Sequence, residues 1–75
     1  MVKQQRVTAI IEREEDGYVA LCPKLDIVTQ GPSIEKARAN LVEALTLFFE
    51  TAAPSEVARR FNGEVFITQV EVPVG

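Results

Sequence analysis

Apolar and polar positions alternate from about Arg6 to Arg13, with Val7, Ala9 and Ile11 on one side and Thr8, Ile10 and Glu12 on the other. That period of two predicts a β-strand. Glu14-Glu15-Asp16-Gly17 follows as a polar turn whose glycine could take positive φ, a hairpin signal. Tyr18, Ala20 and Cys22 then alternate against Val19 and Leu21 in a second strand. Pro23 ends its pairing, because proline has no amide hydrogen to give to a ladder. A short third strand is centred on Ile27-Val28-Thr29 and is broken by Gly31-Pro32. Both faces of these strands are apolar, so one can meet a helix and the other calls for a second cover, such as another subunit.

The period changes at Ser33, a natural N-cap, and Glu35 sits favourably in the first turn of the helix that follows. Over Ile34 to Thr51, at ~100° per residue, Ile34, Ala37, Leu41, Ala44, Leu45 and Phe48 fall on one stripe. Val42 and Phe49 widen that stripe on one flank and Leu47 lies off the other, leaving more apolar surface than one sheet can cover. Pro54 closes the helix. Ser55 can cap a short second one through Arg60 or Phe61, in which Val57 and Phe61 share a face and could cover Phe48 or Phe49. Asn62-Gly63 stops it. Glu64 to Val72 alternates again, Val65 and Ile67 against Phe66, Val70 and Val72, which predicts a last strand ended by Pro73.

The expected fold is therefore α+β, in the order β-β-β-α-(α)-β. A single four-stranded mixed sheet, with spatial order 3-2-1-4, is covered on one face by the amphipathic helix. With 75 residues there is room for one domain, residues 1–75. A chain of this length buries only about 60% of its unfolded surface. Its stability should be roughly 4–11 kcal/mol, to which association can add. If the last strand lies at the sheet edge, its free backbone groups invite pairing with another chain, so a homo-oligomer, dimer or tetramer, is expected. Phe66 and Val70 are its candidate contacts, beside Val42, Leu47 and Phe49 on the helix.

Composition narrows the chemistry. There is no histidine, so the side chain best suited to acid–base work near neutral pH is missing. Ser33 and Ser55 stand at helix starts, where capping explains them. Cys22 is the single cysteine and sits among apolar neighbours as a core residue. Glu12, Glu14, Glu15 and Asp16 splay from a hairpin rather than converge as the oxygen ligands of a hard cation must. No catalytic residue, metal ligand or cofactor is expected. The net charge of −3 and the scattered basic residues, of which only Arg59 and Arg60 adjoin, argue against nucleic-acid binding and match a basic protein partner. No signal peptide or membrane span is visible, and a cytoplasmic protein is expected.

Between Glu14 and Leu45 the ordered elements Asp16-Gly17-Tyr18, Ala20, Pro23, Leu25, Gly31, Ser33, Ala37, Asn40-Leu41 and Glu43-Ala44-Leu45 closely resemble the N-terminal domain of the HicB family of antitoxins. The resemblance implies a reduced ribonuclease-H-like fold. It also implies a non-enzymatic role: binding a small basic ribonuclease toxin, HicA-like, and covering its active site. Many members carry a further DNA-binding domain. This chain ends at Gly75, just past the last predicted strand, so no direct DNA binding is expected. The roles expected for Asp16, Gly17, Tyr18, Pro23, Gly31, Ser33 and Asn40 are structural. The alternative reading is a stand-alone oligomeric HicB-like module that binds another protein or a small ligand.

Overall fold

Glu15 and Asp16 link two strands as the polar run at 14–17 predicts. β1 (Ile10–Glu14) and β2 (Gly17–Cys22) form an antiparallel hairpin in the register Ile10↔Leu21 to Glu14↔Gly17. β3 (Ile27–Gly31) pairs antiparallel with β2, from Tyr18↔Gly31 to Cys22↔Ile27, so the sheet order is β1-β2-β3. The computed structural model describes residues 4–75. Pro23 opens the turn between β2 and β3. There Asp26 has a φ of 54°, a left-handed conformation its short polar side chain tolerates. Positive φ was expected at Gly17 instead, yet no described glycine has one. What Gly17 supplies is space, since a Cβ there would lie 2.6 Å from the Gly31 carbonyl oxygen.

α1 (Ile34–Thr51) starts where the capping signal lies. The Ser33 hydroxyl accepts a hydrogen bond from the Lys36 amide at 3.1 Å, and the Ser33 carbonyl accepts one from the Ala37 amide at 2.9 Å. Ala37, Leu41 and Leu45, spaced four apart, bury one stripe against β2 and β3. Ile34 was expected in that stripe but is 47% exposed. Side chains lean toward the helix N-terminus, so the first turn projects past the sheet rather than onto it. α2 (Pro54–Asn62) begins one residue before Ser55, which therefore does not cap it. Ala53 takes the cap position with no side-chain bond, and Pro54 fits the first turn, where its missing amide has no partner to lose.

Ala20, Cys22, Leu25, Ala37, Leu41 and Leu45 form the buried core. Val7, Ile11, Tyr18, Ile27, Phe48, Phe49 and Phe61 pack around it, half-buried. Three of the six core side chains are Ala or Cys, so the core is as thin as the length implies. The register places Ala20, Cys22, Ile11, Ile27 and Thr29 on the face under α1. It places Ile10, Leu21 and Val28 in one row on the opposite face, which no helix covers; Val28 there is 57% exposed.

The extent of the sheet also differs from expectation. The first strand was expected from Arg6, but pairing starts at Ile10. In this register Thr8 would face Pro23, which has no amide to offer, so residues 4–8 find no partner on that side and the ladder stops short of Ala9. The fourth strand was expected over Glu64–Val72. In the single chain the sheet is three-stranded and antiparallel rather than four-stranded and mixed, and residues 64–75 lie outside any ladder, all exposed. Alternation reports that a segment can be a strand, not that an edge receives it. After Gly63 the chain passes beside residues 5–8, which are not themselves in the sheet, and then runs on. The Cα radius of gyration is 14.7 Å, against about 11 Å for a compact chain of this length.

Candidate protein-interaction surfaces

Each motif residue has a local task that follows from its type. The Thr29 hydroxyl on β3 donates to the Ala37 carbonyl at 3.1 Å, and the Asn40 side-chain amide donates to the Gln30 carbonyl at 2.8 Å. Both bonds fix the pitch of α1 against the edge of the sheet. Gly31 lets the helix come this close, since a Cβ on it would lie 2.7 Å from the Ala37 amide nitrogen and 3.0 Å from Ala37 Cα. Tyr18, opposite Gly31, packs half-buried against the core, while Asp16 stays exposed at the hairpin tip.

At the other end of the sheet α2 is tied to the β2–β3 turn. Arg60 donates through Nη1 to the Leu25 carbonyl and through Nε to Glu56 Oε1 at 2.9 Å, and its guanidinium lies 5.4 Å from the centre of the Phe48 ring. Lys24 Nζ donates to the Gly63 carbonyl at 2.8 Å. Hydrogen bonds from Arg59 first, then Arg60, hold the Glu56 carboxyl below the usual carboxylate range. In the sequence Arg59 and Arg60 stand out only as the one adjacent basic pair. Arg60 is instead a strut, which only its distance of 35 residues from Leu25, closed by the fold, could reveal.

The five candidate contact residues do not form one patch. Val42 and Leu47 are 48% and 58% exposed on α1, but Leu47 lies about 140° round the helix from Val42. Phe49 lies nearly in line with Val42 yet is half-buried, because Phe61 of α2 stacks on it at 5.8 Å and Phe48 meets it edge-on at 5.5 Å. Phe66 and Val70 stand on the segment after α2, 83% and 78% exposed. The acidic residues Glu12, Glu14, Glu15 and Asp16 are all exposed around the hairpin tip. Among the described residues no group of three or more His, Cys, Asp or Glu side chains is placed to hold a metal ion, and no helix is long and apolar enough to cross a membrane. Cys22 is a buried free thiol.

Over 67 residues the chain is 34% identical to a UPF0150 protein of Helicobacter pylori (strain J99), an alignment covering 88% of this chain and 93% of that protein. The chain belongs to the UPF0150 family. No family model and no solved structure matches it. The exposed features of the UPF0150 chain are apolar surface on α1, an uncovered row on the sheet, an acidic hairpin tip and an apolar C-terminal segment outside the sheet.

Proposed function

We propose that this UPF0150 chain is a non-catalytic, antitoxin-like protein of the HicB type, which neutralises a small basic ribonuclease, HicA-like, by protein–protein contact. One observation carries the reading. Most of the residues that resemble HicB are ones on which the packing depends: Ala20, Leu25, Ala37, Leu41 and Leu45 in the core, Gly17 and Gly31 at close approaches, Ser33 and Asn40 in the helix bonds. They support the HicB-type scaffold, and the kind of partner is argued from charge and exposed surface.

The charge supports a basic partner. The net charge is −3, and four of the carboxylates stand together at the exposed hairpin tip. Val42 and Leu47 are apolar side chains free to be covered on binding. The same reading includes a reduced ribonuclease-H-like sheet in the assembled protein, in which 64–72 supplies a fourth strand, and a homo-oligomer in the cytoplasm that does not bind DNA directly.

The test is an affinity pull-down of the tagged chain from its native cells, with the co-purifying proteins identified by mass. The expected result is a stoichiometric small basic protein that arrests growth when expressed alone and is silenced by this chain. Recovery of the chain alone, as a clean oligomer, would overturn the antitoxin reading. The uncovered row Ile10, Leu21, Val28 would then favour the second one, a stand-alone oligomeric module.

A further inference from the structure

The chain carries a strand without an edge and an edge without a strand. Residues 64–75 make no backbone–backbone hydrogen bond to any described residue, and all are exposed. Val65 and Ile67, at 43% and 57% exposure, line a groove with Arg6, Val7 and Thr8. The opposite parity, Phe66, Val70, Val72 and Val74, is 68–90% exposed. An alternating segment of this kind, with its amides unpaired, is strand-competent and uncovered on its more apolar side.

The sheet has two outer edges. On β3 the Asn40 side chain of α1 occupies the Gln30 carbonyl, and α1 packs most extensively on that strand. On β1, among the described residues, no side chain bonds the backbone of Ile10–Glu14, and no strand lies beyond it. β1 is thus the open acceptor. Its own chain's C-terminal segment starts near it, anchored by Lys24 at Gly63, yet passes residues 5–8 and leaves without pairing. A donor and an acceptor on one chain, both unused, close symmetrically when two copies exchange them.

We infer that two copies of this chain form a strand-exchanged dimer, in which residues 64–72 of each add as a fourth strand along the β1 edge of the other. This rests on the fourth-strand reading above and specifies whose sheet receives it. Within one chain the segment leaves its own β1 unpaired, so the exchange is what satisfies both. In the exchanged pair the stripe Phe66, Val70 and Val72 reaches across to the other copy. There it lies beside that copy's β1, and the added strand widens the apolar sheet face that carries Ile10, Leu21 and Val28.

The experiment uses the full chain. Light scattering is expected to give twice the 8.3 kDa chain mass. Nuclear Overhauser contacts filtered for isotope, in a mixture of labelled and unlabelled chains, should connect residues 64–72 of one copy to 6–14 of the other. The double variant Thr68→Pro/Gln69→Pro removes two neighbouring amides, one of which must face the ladder in any register. It should become monomeric while its helical circular dichroism remains, because neither amide bonds any described residue of the single chain. A wild-type monomer would overturn the inference. So would a dimer whose 64–72 contacts all lie within one chain, which would leave the fourth strand intact, whereas unprotected amides over 64–72 would sink both. A proline variant that stays dimeric would equally refute it. If instead no basic partner is ever found but the exchanged contacts appear, the antitoxin reading fails and the exchange stands.

Discussion

Replacing Gly31 by alanine tests the close approach of α1 to β3. The new Cβ would sit 2.7 Å from the Ala37 nitrogen, 3.0 Å from Ala37 Cα and 3.0 Å from the Lys36 carbonyl carbon. All three are backbone atoms of α1, so no side chain can swing aside, and the helix must lift off β3. Overpacking of this kind costs about 1–3 kcal/mol. Alanine also restricts the unfolded chain, which returns about 0.4–1 kcal/mol. The net loss should be about 1–2 kcal/mol, or roughly 4–16 °C in Tm for a domain of this size. Gly63→Ala is the control: its φ is −69° and the nearest atom to a new Cβ is the Arg60 carbonyl oxygen at 3.5 Å, an ordinary contact. That variant should be stabilised by about 0.4–1 kcal/mol. The assay is thermal unfolding by far-ultraviolet circular dichroism at one fixed protein concentration, since association would make Tm depend on concentration. Gly31→Ala at wild-type stability, or the two variants shifted equally, would refute the claim that helix–strand distance is what demands glycine.

Leu41→Ala, at 2% exposure in the centre of the core, should cost about 2–5 kcal/mol and leave the domain near unfolding by urea titration. Asn40→Ala should lose about 0.5–1.5 kcal/mol with the Gln30 bond, and amide exchange should rise along β3 before it rises in β2. Val42→Ser and Leu47→Ser should each stay within about 0.5 kcal/mol of wild type. Phe49→Ser, stripped from the Phe48–Phe61 stack, should cost about 2 kcal/mol. If the two exposed variants change neither self-association nor partner binding, those positions are idle surface. Glu56 has its folded pKa lowered by Arg59 and Arg60, so its contribution is complete above the unfolded carboxylate pKa and is lost as pH falls through the lower folded value. Glu56→Gln should therefore be less stable than wild type at neutral pH, with the gap closing in acid. A gap that persists below the folded pKa would show that the carboxylate charge is not what Arg60 holds.

The boundaries of α1 were legible because they are written in local chemistry. Ser33, Glu35 and the fourfold spacing of Ala37, Leu41 and Leu45 fix α1 with no reference to the rest of the chain. The β1–β2 turn was legible in Glu14-Glu15-Asp16-Gly17 for the same reason, though the role of Gly17 was not. Its contact is with Gly31, on a strand 14 positions away, and only the register brings them together. The Arg60 strut was hidden likewise, because its partner Leu25 is 35 positions away, whereas the cover of Phe49 by Phe61 was legible in the face that Val57 and Phe61 share. The C-terminal segment marks the limit from the other side. Its alternation is as regular as that of β2, and pairing turns on whether an edge is within reach, a property of the assembled sheet.

The division of labour between these residues bears on what resemblance can convey. Ala20, Leu25, Ala37, Leu41 and Leu45 are buried, and Gly17 and Gly31 meet backbone, so any change at them is penalised whatever the protein binds. Val42, Leu47, Phe66 and Val70 touch little within the chain, and the fold places no constraint on them. Two chains with the same first set and different second sets would share this scaffold and bind different partners. That predicts a transplant experiment. Exchanging Val42 and Leu47 for the residues of another UPF0150 chain should leave the melting temperature within a few degrees while moving partner choice. A chain that loses its fold instead would mean that α1 depends on its outer face as well, through association that the single chain does not contain.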